Sequence, residues 1–527
     1  LKIDQIKALT TFLKPPTCVF ILSGTLCACY SVFTTHLFDL LITDRPTIML
    51  TRSRSSSIAP KWLALAAPVF CLMLISSSQA QTLQTTETAS DIEKKIQTKN
   101  PLIEQIVQHI SAKRIDANIK KLVSFGTRHT ESDTVSDTRG IGAARRWIKA
   151  ELDHCSQGQL EVSFDSFIEP AGRRLSKPTE IVNVVATLKG RSNPERLYVV
   201  SGHYDSRASD VMDAHSDAPG ANDDASGSAA VIEMACTFAQ AVAQQKQNPF
   251  DATIVFMTVA AEEQGLIGAG HWAQQARAQN LDVAGMFTND IIGSSRSEHG
   301  EIDNKQVRLF AEGIPAVKEL PDSIRSLIAT GGENDSISRQ LARHVKEIGE
   351  RYVPGFKVSI VQRRDRYLRG GDHIPFLERG YAALRFTEPN EDFNHQHQDI
   401  RVEKGVQLGD LPEFVDTDYT ANVARVNAAA LASLALAPAA PSKVQVKTQQ
   451  LENDTHLVWQ ANTDADLAGY RVVWRETTSS LWQGALYVGK VTDFRVLGKS
   501  KDNYLFGVQA VDINGNVSVA SYPLPLR

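Results

Sequence analysis

Residues 252–261 read ATIVFMTVAA, ten residues without a charge, followed at once by Glu262 and Glu263. A run of this length, rich in β-branched and aromatic residues, reads as a strand buried on both faces. Such strands belong to sheets covered by helices on each side. Two adjacent carboxylates at its end are costly unless something pairs with them. The run therefore demands a layered fold, and a function that explains the acids.

The neighbouring patterns agree. EIVNVVATLKG, RLYVVSGHYD, VAGMFTNDIIG and AALRFTE read as strands, while SGSAAVIEMACTFAQAVAQQ and LIGAGHWAQQARAQ read as helices. Their alternation predicts an α/β domain over residues 101–437, with a mixed, mostly parallel sheet flanked by helices. The Ala/Pro stretch APAAPSK supplies a linker at 438–443. Beyond it, THLVWQA, GYRVVWRET and NYLFGVQAVD alternate in the strand period between Asp/Asn/Gly turns, which predicts a small all-β sandwich over 444–527. Trp459 is expected in its core and Tyr504 at a tyrosine corner, features that resemble a fibronectin type III module.

The N-terminal region is read apart from the fold. From Met49, a basic stretch (Arg52, Arg54, Lys61) precedes an apolar run from Trp62 to Ile75, and Ser78-Gln79-Ala80 offers a cleavage site. That is the pattern of a signal peptide over 49–80, too short for a comfortable membrane span. Residues 1–48 are read as an over-long start or upstream segment, and 81–100 as a flexible lead-in. The expected product is secreted or periplasmic, with no stable membrane insertion after cleavage. Residues 1–80 hold seven basic and three acidic groups, so residues 81–527 carry 49 against 57, a formal charge of −8. That balance, without a basic run, excludes a general nucleic-acid binder. Only Cys155 and Cys236 remain in the exported part, enough for one bridge but no disulfide framework.

Carboxylates and imidazoles collect at the expected strand ends. His203 and Asp205 end one strand, and Asp223 and Asp224 precede a helix. Glu262 and Glu263 end the next strand, Asp290 the one after, and His395 and His397 lie in the loop EDFNHQHQD. Ligands of open α/β sheets bind at the carboxyl ends of strands, where these groups converge. A set of His, Asp and Glu without Cys suits Zn²⁺ or a related divalent ion. Singly, each motif has a plain structural reading as a hydrogen-bonded pair, a helix cap or a solvated turn. Four such motifs after four successive strands do not.

GHYDS, PGANDDASG, AAEEQGLIGA, TND and NHQHQD stand here in an order that resembles the zinc aminopeptidase family M28, which includes bacterial leucyl aminopeptidases, glutamate carboxypeptidase II and the transferrin receptor. The similarity spans roughly residues 105–435. It implies the zinc exopeptidase (phosphorylase/hydrolase-like) fold and a secreted bacterial enzyme using two Zn²⁺, with other divalent ions possible. His203 and Asp290 would hold one ion, Glu263 and His395 the other, and Asp223 would bridge them. His395 is preferred to His397 because Asp399 follows it at the family's H-x-x-x-D spacing. Asp205 would orient His203. Glu262 would be the general base that takes a proton from a hydroxide-forming water shared by the metals. In RGGDHIPF, Gly371 stands where the family often has serine. Asp372 and His373 are then candidates to line the site, and Tyr367, Arg366 and Arg369 to stabilise an oxyanion.

The implied activity is removal of N-terminal residues from peptide substrates. The same scaffold also serves carboxypeptidases, single-zinc glutaminyl cyclases and receptor ectodomains without catalytic metal. The sandwich could bind a partner or a surface.

Overall fold

The computed structural model describes residues 88–526. The signal-peptide and upstream readings lie outside these residues. No described helix is long and apolar enough to cross a membrane.

Four helices lead into the sheet: α1 (Ala89–Gln97), α2 (Pro101–His109), α3 (Ala112–Val123) and α4 (Gly140–Ser156). The first corrects the flexible reading of the lead-in over Ala89–Gln97. Thr88 and Asp91 form a capping box, and Ile92 and Ile96, one turn apart, bury against Val511 of the C-terminal region. Those two isoleucines make a polar stretch worth ordering.

The sheet is built from β1 (Glu161–Glu169), β2 (Thr179–Leu188), β3 (Asn193–His203), β4 (Ala252–Val259), β5 (Asp282–Asn289), β6 (Gln306–Ala311), β7 (Lys357–Val361) and β8 (Ala383–Thr387). Its order is β1-β2-β4-β3-β5-β8-β6-β7. The central strands β4, β3, β5 and β8 are mutually parallel, and β2 and β6 flank them antiparallel. Every residue of β4 is buried, as its uncharged sequence requires.

Helices cover both faces. Val200, Ile254 and Phe256 point into the larger core beneath α2–α4, α5 (Ala225–Ala243) and two later helices, α8 (Ile337–Tyr352) and α10 (Thr417–Leu436). Their neighbours Val199, Val255 and Met257 face the opposite layer, formed by α6 (Ile267–Ala278) and α9 (Ile374–Glu378). This is the strand period of two read on both sides. Cys155 and Cys236 are joined as a disulfide, linking α4 to α5. The short helix α7 (Asp322–Ala329) and the hairpin β9 (Arg401–Glu403) and β10 (Val406–Leu408) lie in the connections.

After α10 the chain forms β11 (Ser442–Lys447), β12 (Thr455–Gln460), β13 (Leu467–Glu476), β14 (Gly484–Gly489), β15 (Asp493–Val496), β16 (Tyr504–Asp512) and β17 (Leu524–Leu526). They make sheets ordered β15-β12-β11-β17 and β14-β13-β16 around Leu457, Trp459, Val472 and Val508. Trp459 is in the core, packed edge-on against Tyr470. Tyr470 and Tyr487 tie their hydroxyls to backbone, Tyr470 accepting from the amide of Asn462 at 2.7 Å and Tyr487 donating to Ala468 O at 2.8 Å. Tyr504 instead rests half-buried beside Phe506 and Lys499, so the tyrosine-corner expectation fails there. The sandwich is latched to the α/β layer by Asp335, which receives Arg475 at 2.5 Å and Arg343 at 3.2 Å with almost no solvent access.

Candidate metal centre

The order β4-β3-β5 reverses direction about β3, creating a crevice at the carboxyl ends where loops diverge. His203 is the last residue of β3, and Asp290 directly follows β5. Two residues past β4, Ala261 takes a left-handed φ of 60°, which turns the backbone as it delivers Glu262 and Glu263. Asp205 accepts from both of their amides, at 3.3 and 3.1 Å, and lies 3.5 Å from His203 Nδ1. One carboxylate thereby orients three neighbours.

The two acids before α5 divide their work. Asp224 caps the helix through Gly227 N at 2.9 Å and accepts from His203 N at 3.0 Å. Asp223 projects into the crevice. Its Oδ1 lies 3.1 Å from His203 Nε2, and its Oδ2 lies 2.9 Å from His397 Nε2. Asp290 Oδ1 is 4.0 Å from His203 Nε2, and Glu263 Oε1 is 2.9 Å from His397 Nε2. The ligand atoms of His203, Asp223 and Asp290 fall within 4.8 Å of one another, as do those of Asp223, Glu263 and His397.

His397, rather than His395, enters this cluster. His395 stacks flat on Phe414 with ring centroids 3.7 Å apart and faces Asp392. Asp399, on which the spacing argument leaned, is engaged elsewhere: its carboxylate accepts from Ser209 N and its amide donates to Ser209 Oγ. That pair pins the loop, and a left-handed turn at His397 (φ 53°) carries its ring inward.

The electrostatics call for a cation. Burial disfavours charge on His203, yet hydrogen bonds to Asp205 and Asp223 raise its pKa well above the ordinary value. His397, also opposed by burial, is raised to about 10 by Glu263 and Asp223. Burial pushes Glu262 well above the usual carboxylate range, reinforced by Asp290, Glu263 and Asp372 and opposed by His203. The buried carboxylates of Asp223, Glu263 and Asp290 around two imidazoles form a donor set whose charge a divalent ion would balance. Glu263 Oε1, though 2.9 Å from His397, accepts no hydrogen bond from any described residue. Both atoms also face Asp223, as two ligands of one ion would. Zinc with bonds of about 2.0–2.2 Å places tetrahedral ligand atoms roughly 3.3 Å apart, which the spacings of 2.9–4.0 Å bracket. The donor set and its geometry fit zinc.

Other candidates divide. Asp372 is buried beside the cluster, its two oxygens accept no hydrogen bond from a described residue, and burial pushes its pKa to about 7. His373 turns away, with Nε2 on Arg364 O at 2.8 Å. Tyr367 is 78% exposed, and Arg369 and Arg366 are ion-paired to Glu391. None of these three contacts the cluster. Sequence reasoning missed two supports. Asp410 accepts from the amides of Asn222 and Asp223 at 2.8 and 2.7 Å. Arg385, fully buried in β8, lies 2.8 Å from Asp290 Oδ1. Its only sequence signal is an arginine in the middle of an otherwise apolar strand.

The model of "Peptidase family M28" matches residues 183–404. A "probable zinc metalloprotease" of the fungus Leptosphaeria maculans is 50% identical over 426 residues, covering 80% of this chain and 97% of that protein. The chain belongs to peptidase family M28. It is a zinc-dependent peptidase. A second relative, from Pyricularia oryzae and carrying the same description, is 51% identical over 78% of this chain and 82% of its own length. These M28 relatives are fungal, so the expectation of a bacterial enzyme is not supported. Among solved structures, the LapA aminopeptidase of Legionella pneumophila aligns at 18% identity over 63% of this chain and 74% of its own, with a TM-score of 0.43.

Proposed function

We propose that this M28 peptidase is a two-zinc aminopeptidase. The observation that carries the reading is Asp223, whose two oxygens face two different imidazoles at 3.1 and 2.9 Å. Around it, His203 with Asp290 would hold one ion and His397 with Glu263 the other. Bound zinc would supply Lewis acidity toward the scissile carbonyl and make a water more acidic.

The chain's own residues do the rest. Asp205 holds the His203 ring and the Glu262–Glu263 turn, so ligands and base move as one piece. Glu262 sits on that turn with burial favouring its neutral form, which suits a group that must both take and return a proton. Its carboxylate would accept the proton of the attacking water and pass it to the departing amide nitrogen. Cleavage then leaves a carboxylate on one product and an amine on the other.

A free N-terminus is favoured by hydrogen bonding. Asp372 brings two buried oxygens that accept no hydrogen bond from a described residue and could receive an amine N–H, whereas Arg366 and Arg369, cations that a C-terminal carboxylate would need, are ion-paired to Glu391. That pairing argues against a carboxypeptidase. The two-ion arrangement argues against a single-zinc cyclase, and the complete ligand set against a receptor that has lost its metals. Export through the segment at 49–80 is part of the proposal, and the Cys155–Cys236 bridge suits an oxidising compartment. The latch at Asp335 supports a sandwich that braces the peptidase, with its outer strands free for a surface or partner.

The test is hydrolysis of a panel of aminoacyl amides against their N-acetyl forms, with chelator and with added Zn²⁺. Chelator-sensitive cleavage of the free amine alone is expected. Equal cleavage of both would refute the aminopeptidase assignment, and no cleavage of either would refute catalysis.

A further inference from the structure

Gly371 has no conformational reason to be glycine, since it does not adopt a left-handed φ. Its reason is space. A Cβ built there would press far inside van der Waals contact with Arg385 Nη1 and lie 3.1 Å from Asp290 Oδ2. The volume a side chain would need is filled by a guanidinium.

That guanidinium is held in one place. Arg385 rises from the centre of β8, and its Nη1 donates to Gly370 O at 2.7 Å. Nη2 donates to the main-chain oxygen of Asp290 at 3.3 Å and lies 2.8 Å from its Oδ1. On the far side, Nη1 is 3.6 Å from Asp365 Oδ2. The backbone of Asp290 is itself tied to β8, its amide donating to Phe386 O at 3.2 Å. The Asp290 oxygen that Arg385 holds is also the one 4.0 Å from His203 Nε2. With Nη1 tied to the Gly370 carbonyl and Nη2 spanning the main-chain and side-chain oxygens of Asp290, the planar guanidinium is fixed at both ends, which an ammonium on a flexible stem cannot reproduce.

We propose that Arg385 is a positioning residue that aims the Asp290 carboxylate at His203, and that position 371 is glycine to admit it. The proposal rests on the two-zinc reading of the site. The pair then acts as a unit. A side chain at 371 would compete with Arg385 for the same space beside Asp290.

A double-mutant cycle tests this, read as zinc affinity by competition with a chromophoric chelator, with melting of the metal-free proteins as a check on folding. Gly371→Ser is expected to weaken binding of one zinc about tenfold, the low end of what outer-shell changes cost. In an Arg385→Met background, where the space is free, the same change should cost less than about threefold. Arg385→Met alone should weaken one zinc by about tenfold, and Arg385→Lys, which keeps the charge without the fork, should not restore it. If Arg385→Met fails to fold, Arg385→Ala serves as the background. A silent Gly371→Ser, equal costs in both backgrounds, or native affinity in Arg385→Lys would each overturn the proposal. A parent protein that binds no zinc would instead sink the two-zinc reading itself.

Discussion

His395 and His397 are two residues apart, and the structure separates their roles completely. His397 Nε2 lies 2.9 Å from both Asp223 and Glu263, so its removal takes one of three protein ligands from one ion. Loss of an outer-shell partner costs about 10–100-fold in metal affinity, and loss of a direct ligand should exceed that. His397→Ala is therefore expected to bind one zinc more than about 100-fold more weakly and to lose hydrolysis with it. His395→Ala gives up a stack on Phe414, worth about 0.5–1.5 kcal/mol of stability, and a contact with Asp392, and should keep both zincs. Chelator competition on the two purified variants, beside the parent, reads both outcomes. Zinc lost from His395→Ala and retained by His397→Ala would refute the placement of the loop.

Two further outcomes concern stability. Arg475→Met leaves Asp335 buried with Arg343 as its remaining cation, and should cost about 3 kcal/mol in urea unfolding followed by tryptophan fluorescence; a loss below about 1 kcal/mol would show the latch to be no stronger than a surface pair. His344 is buried against Ser433, and burial lowers its pKa from 6.5 to about 4. The unfolded chain takes up this proton as pH falls below about 6.5 while the folded chain does not, so stability drops by up to about 3 kcal/mol between pH 6.5 and 4. His344→Gln should flatten that acid limb in melting curves, and an unchanged limb would refute the assignment.

Much of the centre was readable because of where parallel strands end. His203, the Glu262–Glu263 pair and Asp290 sit at or just beyond the carboxyl ends of three adjacent strands, and the hydrophobic period marks those ends in the sequence. The loop histidine was not readable in the same way. Its identity depends on a left-handed turn at His397 and a hydrogen-bonded pair between Asp399 and Ser209, contacts across 190 residues that spacing does not encode. Asp410 and Arg385 escaped for a related reason. They support ligands from other elements, and alone in sequence each looks like an ordinary loop acid or a strand charge. The helix α1 was misread because two isoleucines were too few to outweigh a polar stretch until the sandwich offered them a surface.

The central claim is that neighbouring glutamates divide the work, Glu263 holding metal and Glu262 moving the proton. Glu262→Gln, measured by elemental analysis and by turnover of aminoacyl amides, tests it most directly. The variant is expected to keep two zincs per chain while turnover falls by about 10²–10⁴-fold. Loss of a zinc from this variant, or turnover near that of the parent, would contradict the division.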